Sequence, residues 1–174
     1  MEVWDLYTAD RKPSGKTIIR GETVPEGYYN LGVNIWRRNK EGKYLISQRS
    51  AIKKSYPLWW EPVGGGVVAG ETSLEGALRE VWEEVGIKAN PEDMHLVFSE
   101  IGHWWSGVFQ NEIADVYLLE IEDYDASLAV SDEVAQSKWA TKDEIKEMID
   151  NKTFIPSYNY FFEKIDTVHL EENL

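Results

Sequence analysis

Apolar and polar residues alternate along several segments of the chain, which is the pattern of half-buried β-strands. The alternation is clearest over residues 28–36 and returns over 43–48, after a polar stretch ending in Gly42 that suits a hairpin turn, so these two segments are expected to pair. Further strands are predicted at residues 2–8, 16–20, 59–68, 94–100, 114–121 and 136–140. The segment 59–68 is expected to run from aromatic residues into a glycine-rich loop.

Three helices are predicted between and after these strands. The strongest spans residues 72–86, because Thr72 and Glu75 have the spacing of a capping box and Gly86 stands where helices commonly end. The other two are expected at residues 141–148 and 156–165. Strands with a central helix and trailing helices indicate an α/β or α+β domain. We expect a single domain over residues 1–174, with N-terminal strands in 1–26 and the core in 27–165.

The composition excludes several classes of protein. The chain has no cysteine, which rules out disulfides, thiolate metal sites and cysteine nucleophiles. Its formal net charge of −13 repels nucleic acid backbones, so we expect a small-molecule partner and no nucleic acid. No apolar run approaches the ~20 residues that a membrane span needs, and the N-terminus is acidic and mixed. We therefore expect a cytoplasmic protein with no membrane attachment.

A helical wheel of residues 72–87 separates an apolar face from an acidic one. The apolar face, expected to pack on the sheet, holds Leu74, Leu78, Val81 and Val85, and the acidic face holds Glu80, Glu83 and Glu84. Like charges at these spacings destabilise a helix unless a cation lies there, and carboxylates favour Mg²⁺ or Mn²⁺ over zinc. Acidic helix faces are more often only solvated surface. Here, however, a glycine-rich loop leads into the helix and Arg79 stands beside the carboxylates.

The stretch from Gly65 to Ile87 resembles a complete Nudix box. That pattern is a glycine, five residues, a glutamate, seven residues, and then arginine, glutamate, an apolar residue, any residue, two glutamates, any residue, glycine and an apolar residue. Every specified position fits: Gly65, Glu71, Arg79, Glu80, Val81, Glu83, Glu84, Gly86 and Ile87.

The resemblance implies an α/β/α sandwich with a mixed sheet, a loop–helix–loop catalytic motif, and Mg²⁺-dependent hydrolysis of a diphosphate linkage. It implies that Glu83 and Glu84 bind the metal, that Glu80 supports the metal site or acts as the base, and that the Gly65 carbonyl adds a ligand. Glu71 and Arg79 would hold the motif in shape through a charge pair. A homodimer is common in the family and stands as an alternative to a monomer.

Residues outside the box supply further candidates. Many family members take an additional carboxylate from elsewhere, and this chain offers Glu112, Asp115, Asp132 and Glu133, of which Glu133 is the first choice although a solvated glutamate is the more common situation. Substrate phosphates would find positive charge at Arg37, Arg38, Arg49, Lys53 and Lys54, with Arg49 first. A nucleobase could stack on Trp59, Trp60 or Trp104, although at least one member of each tryptophan pair is expected in the core.

Two other functions are weighed against hydrolysis. In the N-terminal half, the segments 45–50 and 54–59 also resemble isopentenyl-diphosphate isomerases, which share the Nudix fold. Those enzymes rely on a cysteine, and this chain has none. A non-catalytic nucleotide sensor could lose the glutamates of the box, and here all of them remain. The group attached to the diphosphate stays open, with nucleoside diphosphates linked to another moiety, nucleoside triphosphates and isoprenoid-like diphosphates as the candidates.

Overall fold

The computed structural model describes residues 1–105, 107–120 and 131–164, and the side chains of all of these except 103–105, 161 and 162. The strands of this part of the chain are β1 (Val3–Tyr7), β2 (Pro13–Ile19), β3 (Asn30–Arg38), β4 (Tyr44–Arg49), β5 (Trp60–Glu61), β6 (Val63–Gly66), β7 (Met94–Trp105), β8 (Val108–Glu120) and β9 (Val134–Ala140). Its α-helices are α1 (Ser73–Val85), α2 (Lys142–Asp150) and α3 (Tyr160–Lys164). Short 3₁₀ turns cover Pro91–Asp93 and Pro156–Tyr158.

Strand β3 is the centre of a mixed sheet. On one side it runs parallel to β8 along its whole length, and β7 pairs antiparallel with the outer edge of β8. On its other side the expected pairing with β4 is confirmed, but only at Arg37 and Arg38. Beyond these residues β3 and β4 diverge, because β3 pairs with β6 and β4 pairs with β5. Strand β9 covers the far edge of β4.

The segment predicted as one strand over residues 59–68 is two short strands. Pro62 separates β5 from β6, and the two pair with different partners, β4 and β3. A proline has no N–H to donate to a ladder, so it suits a break in pairing. The consequence is that the glycine-rich end of the segment is built into the middle of the sheet.

The hydrophobic core lies on both faces of this sheet. On one face, Val33, Leu45 and Leu119 pack with Val81 of α1. On the other face, Trp36, with no solvent exposure, packs with residues of β4, β8, α2 and the 3₁₀ turn at Pro156–Tyr158. Helices on both faces of a mixed sheet make an α/β/α sandwich, as predicted.

The ends of the chain differ from the rest of the sandwich. Strands β1 and β2 form a separate two-stranded antiparallel sheet, joined to the start of β3 by a bridge between Tyr7 and Tyr29. The helix predicted at 156–165 is a 3₁₀ turn followed by the short α3, and residue 165 lies outside the described part of the chain. Among the described helices, none has the length and apolar character to cross a membrane.

Candidate active site

Helix α1 begins and ends as predicted, but it is turned so that part of its acidic face is buried. Thr72 caps its N-terminus in a reciprocal capping box with Glu75, and Gly86 ends it in the left-handed conformation at φ 69°. Glu80 and Glu84 are only 8% and 9% exposed, whereas the Glu83 side chain is 56% exposed. The three carboxylates therefore occupy two environments, which the helical wheel did not distinguish.

The other buried side chains of α1 explain why Glu80 and Glu84 face the sheet. The residues of α1 that are buried are Gly76, Ala77, Glu80, Val81, Glu84 and Val85, while Leu74 and Leu78 are only partly buried. The stripe that faces the sheet is thus made of small residues, valines and two carboxylates. Gly76 lies against Val67, since a Cβ on Gly76 would be 3.0 Å from the Val67 Cγ2. Helix α1 approaches β6 closely enough to bring its carboxylates beside the glycines.

Gly65 and Glu80 are in direct contact. A Cβ on Gly65 would lie 2.4 Å from the Glu80 Oε1 and 2.6 Å from its Cδ, a separation that real Cβ atoms do not show. The absence of a side chain at Gly65 leaves the space that the Glu80 carboxylate occupies. Because Gly65 pairs with Val33 in the sheet, its main chain is a fixed neighbour of that carboxylate.

Arg79 ties the loop to the helix. Its Nε donates to the Glu71 Oε1 at 3.0 Å, its Nη2 donates to the Gly66 carbonyl at 2.9 Å, and its Nη1 donates to Glu80 at 2.8 Å and to Glu83 at 3.1 Å. Although burial opposes its charge, the hydrogen bonds with Glu71 and Glu80 raise the pKa of Arg79. The Glu71–Arg79 pair thus stands where it can hold the motif in shape.

Glu84 lies in surroundings that disfavour a lone negative charge. Burial raises its pKa well above the ordinary value, and the nearby carboxylates of Glu61 and Glu80 raise it further, against smaller opposing effects of Lys53 and a hydrogen bond from the Gly64 backbone. Burial likewise raises the pKa of Glu80, although Arg79 opposes the shift. A cation beside these carboxylates would offset their repulsion and their loss of hydration.

These residues fit a divalent metal by donor type and by burial. The donors are hard oxygens, which suit Mg²⁺ or Mn²⁺. Within the described ranges, no three acidic or histidine side chains are already arranged to hold a metal. Arg79 bonds one oxygen of Glu80 and one oxygen of Glu83, which leaves the other oxygen of each carboxylate for a cation. Glu80, Glu83, Glu84 and the Gly65 carbonyl would be the donors.

A cavity of about 570 Å³ opens over these carboxylates, a volume within the range of small-molecule sites. Its described lining contains more acidic than basic side chains. The acidic ones are Glu2, Glu61, Glu80, Glu83, Glu84, Glu100, Glu112 and Glu133, and the basic ones are Arg20, Arg49, Lys53, Lys54 and Arg79. This excess of negative charge over the described walls is a second reason to expect a bound cation.

The predicted phosphate-binding residues are only partly brought together. Arg49 lines the cavity, where its Nη1 donates to the Glu61 Oε1 at 2.7 Å, and Lys53 and Lys54 line it as well. The other two arginines lie elsewhere. Arg37 is buried with its guanidinium 5.0 Å from the centre of the Trp139 ring, and Arg38 pairs with Glu120.

Trp59 and Trp60, two of the three tryptophans expected to stack a nucleobase, are not among the described residues that line the cavity. Trp60 is 8% exposed and belongs to the core on the α2 face, and Trp59 packs on Tyr56 with ring centres 5.1 Å apart. The side chain of Trp104 lies outside those described. The burial of Trp60 in this core corrects the hypothesis that Trp60 faces a ligand.

The four carboxylates considered outside the box separate into two pairs. Glu112 and Glu133 line the cavity, with Glu112 accepting a hydrogen bond from the Asn30 side chain at 2.8 Å and Glu133 paired with Lys53. Asp115 is fully buried in an ion pair with Arg11, and Asp132 is exposed and does not line the cavity.

Sequence reasoning missed Glu61. It lies between Trp60 and Pro62 in β5, points into the cavity beside Glu84 and is held by Arg49. Burial raises the pKa of Glu61, although Arg49 opposes the shift. The available signal was the strand alternation itself, because a residue next to a buried tryptophan points to the opposite side of the strand.

Comparisons with known proteins agree with this geometry. The sequence model described as the NUDIX domain matches residues 28–160. An uncharacterised Nudix hydrolase of Listeria monocytogenes is 33% identical over 165 residues, which cover 93% of this chain and 91% of the relative. An isopentenyl-diphosphate Δ-isomerase of Klebsiella pneumoniae is 29% identical over 94 residues, covering 53% of this chain and 51% of the relative.

Solved structures share the fold. A protein of Deinococcus radiodurans superposes with a TM-score of 0.68 at 21% identity, over 88% of this chain and 92% of that one. A bifunctional NMN adenylyltransferase/ADP-ribose pyrophosphatase of Francisella tularensis, solved with AMP and a Mn ion, gives a TM-score of 0.56 at 21% identity, over 82% of this chain and 41% of that one. From the domain match and the relative that aligns over nearly its whole length, the chain belongs to the Nudix hydrolase family.

Proposed function

We propose that the protein hydrolyses a diphosphate linkage in a small molecule with Mg²⁺, or Mn²⁺, as cofactor. The observation that carries the proposal is the burial of Glu80 and Glu84 against the Gly64–Gly66 backbone, beneath a cavity that also presents Lys53 and Arg49. Carboxylates of this kind hold a cation, and cations bridge phosphate oxygens.

Each group of the site has a distinct part in this reaction. A bound divalent cation would polarise the diphosphate and lower the pKa of the attacking water. Glu83 and Glu84, with the Gly65 carbonyl, would hold that cation, and Glu80 would support the metal site or act as the base. The hydrogen bond from Arg79 orients the Glu80 carboxylate. Lys53 and Lys54 attract the negatively charged substrate into an acidic cavity.

The substrate class we propose is a nucleoside diphosphate linked to another moiety. The Francisella tularensis protein with this fold is an ADP-ribose pyrophosphatase solved with AMP and a Mn ion. A cavity of about 570 Å³ has room for such a molecule, and the charged and hydroxyl side chains among its lining residues can bind hydroxyl and phosphate groups. Isomerase activity is disfavoured because the chain has no cysteine.

Substitution of Glu84 tests the catalytic assignment. Glu84→Gln keeps the volume but removes a charge and a strong oxygen donor, so turnover of a diphosphate panel with Mg²⁺ should fall by orders of magnitude and affinity for Mn²⁺ should fall with it. Glu75→Gln is the matched control, because Glu75 is exposed at the first turn of α1 and a glutamine can still close the capping box. Equal turnover in the two variants would refute the assignment, as would parent activity that survives a chelator.

Three further statements stay predictions. We propose that residues 1–174 form one domain, with the β1–β2 hairpin packed on the sandwich through the Tyr7–Tyr29 bridge. A cytoplasmic location and a homodimer remain expectations from the sequence.

A further inference from the structure

The hairpin β1–β2 lies outside the matched NUDIX segment at 28–160, yet three of its side chains line the cavity. Glu2, Trp4 and Arg20 lie at its open end, away from the turn, and stand on the side of the cavity next to Gly66 and Glu80. One wall of this cavity therefore comes from a segment that lies outside the matched domain.

The hairpin is fixed directly to the loop that precedes α1. The Ala69 N–H donates to the Val3 carbonyl at 2.8 Å, and the Gly70 N–H donates to the Asp5 Oδ2 at 2.8 Å. The Trp4 indole lies against Gly66, where a Cβ would be 2.6 Å from the ring. These contacts hold the hairpin against Gly66 and against the loop that follows it.

A second attachment holds the far end of the hairpin. Arg11, in the turn between β1 and β2, donates to both oxygens of Asp115, at 2.5 and 2.7 Å. Asp115 is fully buried in the sheet, so this bidentate pair anchors the turn to the centre of β8. A wall held at both ends can present a ligand-binding group in a fixed position.

Arg20 is the group that this wall presents. Glu2 accepts a hydrogen bond from the Trp4 Nε1 at 2.6 Å through one oxygen, and one from the Arg20 Nη1 at 2.7 Å through the other. Although partial burial opposes its charge, Glu2 raises the pKa of Arg20, with weaker contributions from Glu133 and Glu80. Glu80 and Glu133 both line the cavity, so the guanidinium is within electrostatic reach of the proposed metal site.

Among the described arginines that line the cavity, Arg20 has the most exposed side chain. Its side chain is 48% exposed, against 13% for Arg49 and 22% for Arg79. Arg49 is held in a buried pair with Glu61, and Arg79 bonds to three glutamates and a carbonyl. Over the described ranges, Glu2 is the one acceptor of the Arg20 guanidinium, which leaves most of its five donors for a ligand.

From this arrangement we propose that the β1–β2 hairpin is part of the active site and that Arg20 binds phosphate oxygens of the diphosphate substrate. The planar fork of a guanidinium matches two phosphate oxygens, and a half-exposed arginine on the same side of the cavity as Glu80 can reach a phosphate held at the proposed metal site. The inference rests on the proposed function, since it concerns the same substrate. Glu2 acts as a positioning residue that keeps the guanidinium on the cavity side.

Direct binding tests this assignment independently of turnover. Binding of α,β-methylene-ADP, a diphosphate that cannot be hydrolysed at that linkage, is measured by calorimetry with Mg²⁺. Arg20→Gln should weaken binding roughly tenfold or more, the scale of a lost charge-assisted hydrogen bond. Lys12→Gln is the matched control, because Lys12 belongs to the same hairpin, is 78% exposed, and does not line the cavity. Its affinity should equal that of the parent.

A third variant separates ligand binding from a purely structural role. Glu2→Gln keeps a hydrogen-bond acceptor for Arg20 but removes a negative charge from the wall, so the guanidinium stays in position and affinity should be kept or increased. If Glu2→Gln and Arg20→Gln weaken binding equally, the pair only holds the hairpin and the proposal is overturned. Unchanged affinity in Arg20→Gln, or no binding by the parent, overturns it as well.

Steady-state kinetics distinguish this failure from failure of the proposed function. If Arg20 contributes binding alone, Arg20→Gln should raise KM roughly tenfold and leave kcat nearly unchanged. An active parent with unchanged kinetics in Arg20→Gln would refute only the role of Arg20. A parent that hydrolyses no diphosphate would instead refute the proposed function.

Discussion

Gly65→Ala is expected to disable the active site without disturbing the fold. The added methyl group would lie 2.4 Å from the Glu80 Oε1, whereas ordinary contact begins at 3.4 Å, so the carboxylate must retreat by about 1 Å. A misplacement of about 1 Å in a catalytic site costs about 100-fold in rate. We therefore expect kcat to fall by about that factor, and affinity for Mn²⁺ to fall in the same variant.

The fold should tolerate this substitution. Gly65 has ordinary strand geometry, with no positive φ, and pairs with Val33, so alanine keeps the backbone hydrogen bonds. The atoms that must move belong to the end of a flexible side chain. The thermal midpoint should therefore stay within a few degrees of the parent, since alanine also lowers the entropy of the unfolded chain.

A double-mutant cycle shows whether the effect runs through Glu80. Glu80→Ala removes both the carboxylate and the contact, so adding Gly65→Ala to it should cause little further loss of activity. Turnover and Mn²⁺ affinity are measured for the parent, the two single variants and the double variant. Parent-like turnover in Gly65→Ala, or full additivity of the two substitutions, would refute the reasoning.

Two predictions concern stability. Arg11→Met leaves Asp115 fully buried without its bidentate partner. At neutral pH this should lower the free energy of unfolding by about 2–4 kcal/mol, which is less than for a fully buried pair because the Arg11 side chain is 40% exposed. Burial opposes ionisation of Asp115, but hydrogen bonds from Arg11, Ser73 and Ser99 hold its pKa below the ordinary value. The gap between parent and variant in denaturant titrations should thus be largest near neutral pH and close as the pH falls through the lowered pKa of the parent. A gap that does not depend on pH in acid would contradict this. Thr72→Ala removes the side-chain cap of α1 and should cost about 1 kcal/mol in the same assay, whereas an unchanged value would show that the cap is dispensable.

The limits of α1 could be read from the sequence because capping is local. Thr72, Glu75 and Gly86 lie within the helix or next to it, and each acts on backbone groups a few residues away. The partners of β3 could not be read in this way. Asn30 faces Glu112 across the parallel pair, 82 residues further along the chain, and no local pattern specifies such a pairing.

The same distinction applies to the active site. The spacing of Glu80, Glu83 and Glu84 follows from the sequence, since residues three and four apart share a helix face. Their unequal burial depends on β6, which reaches α1 only because β3 and β4 diverge. The partnership of Arg49 with Glu61 also joins two strands, so a residue predicted to meet phosphate is already held by a carboxylate.

The glycines of β6 have a consequence for how this enzyme loses activity. Three consecutive glycines lose more conformational entropy on ordering than other residues, and here they are ordered by pairing with the central strand at Gly32, Val33 and Asn34. The backbone beside the buried carboxylates is therefore expected to open together with the sheet, and not to fray by itself as a surface loop would. We expect the site to persist for as long as the sheet does.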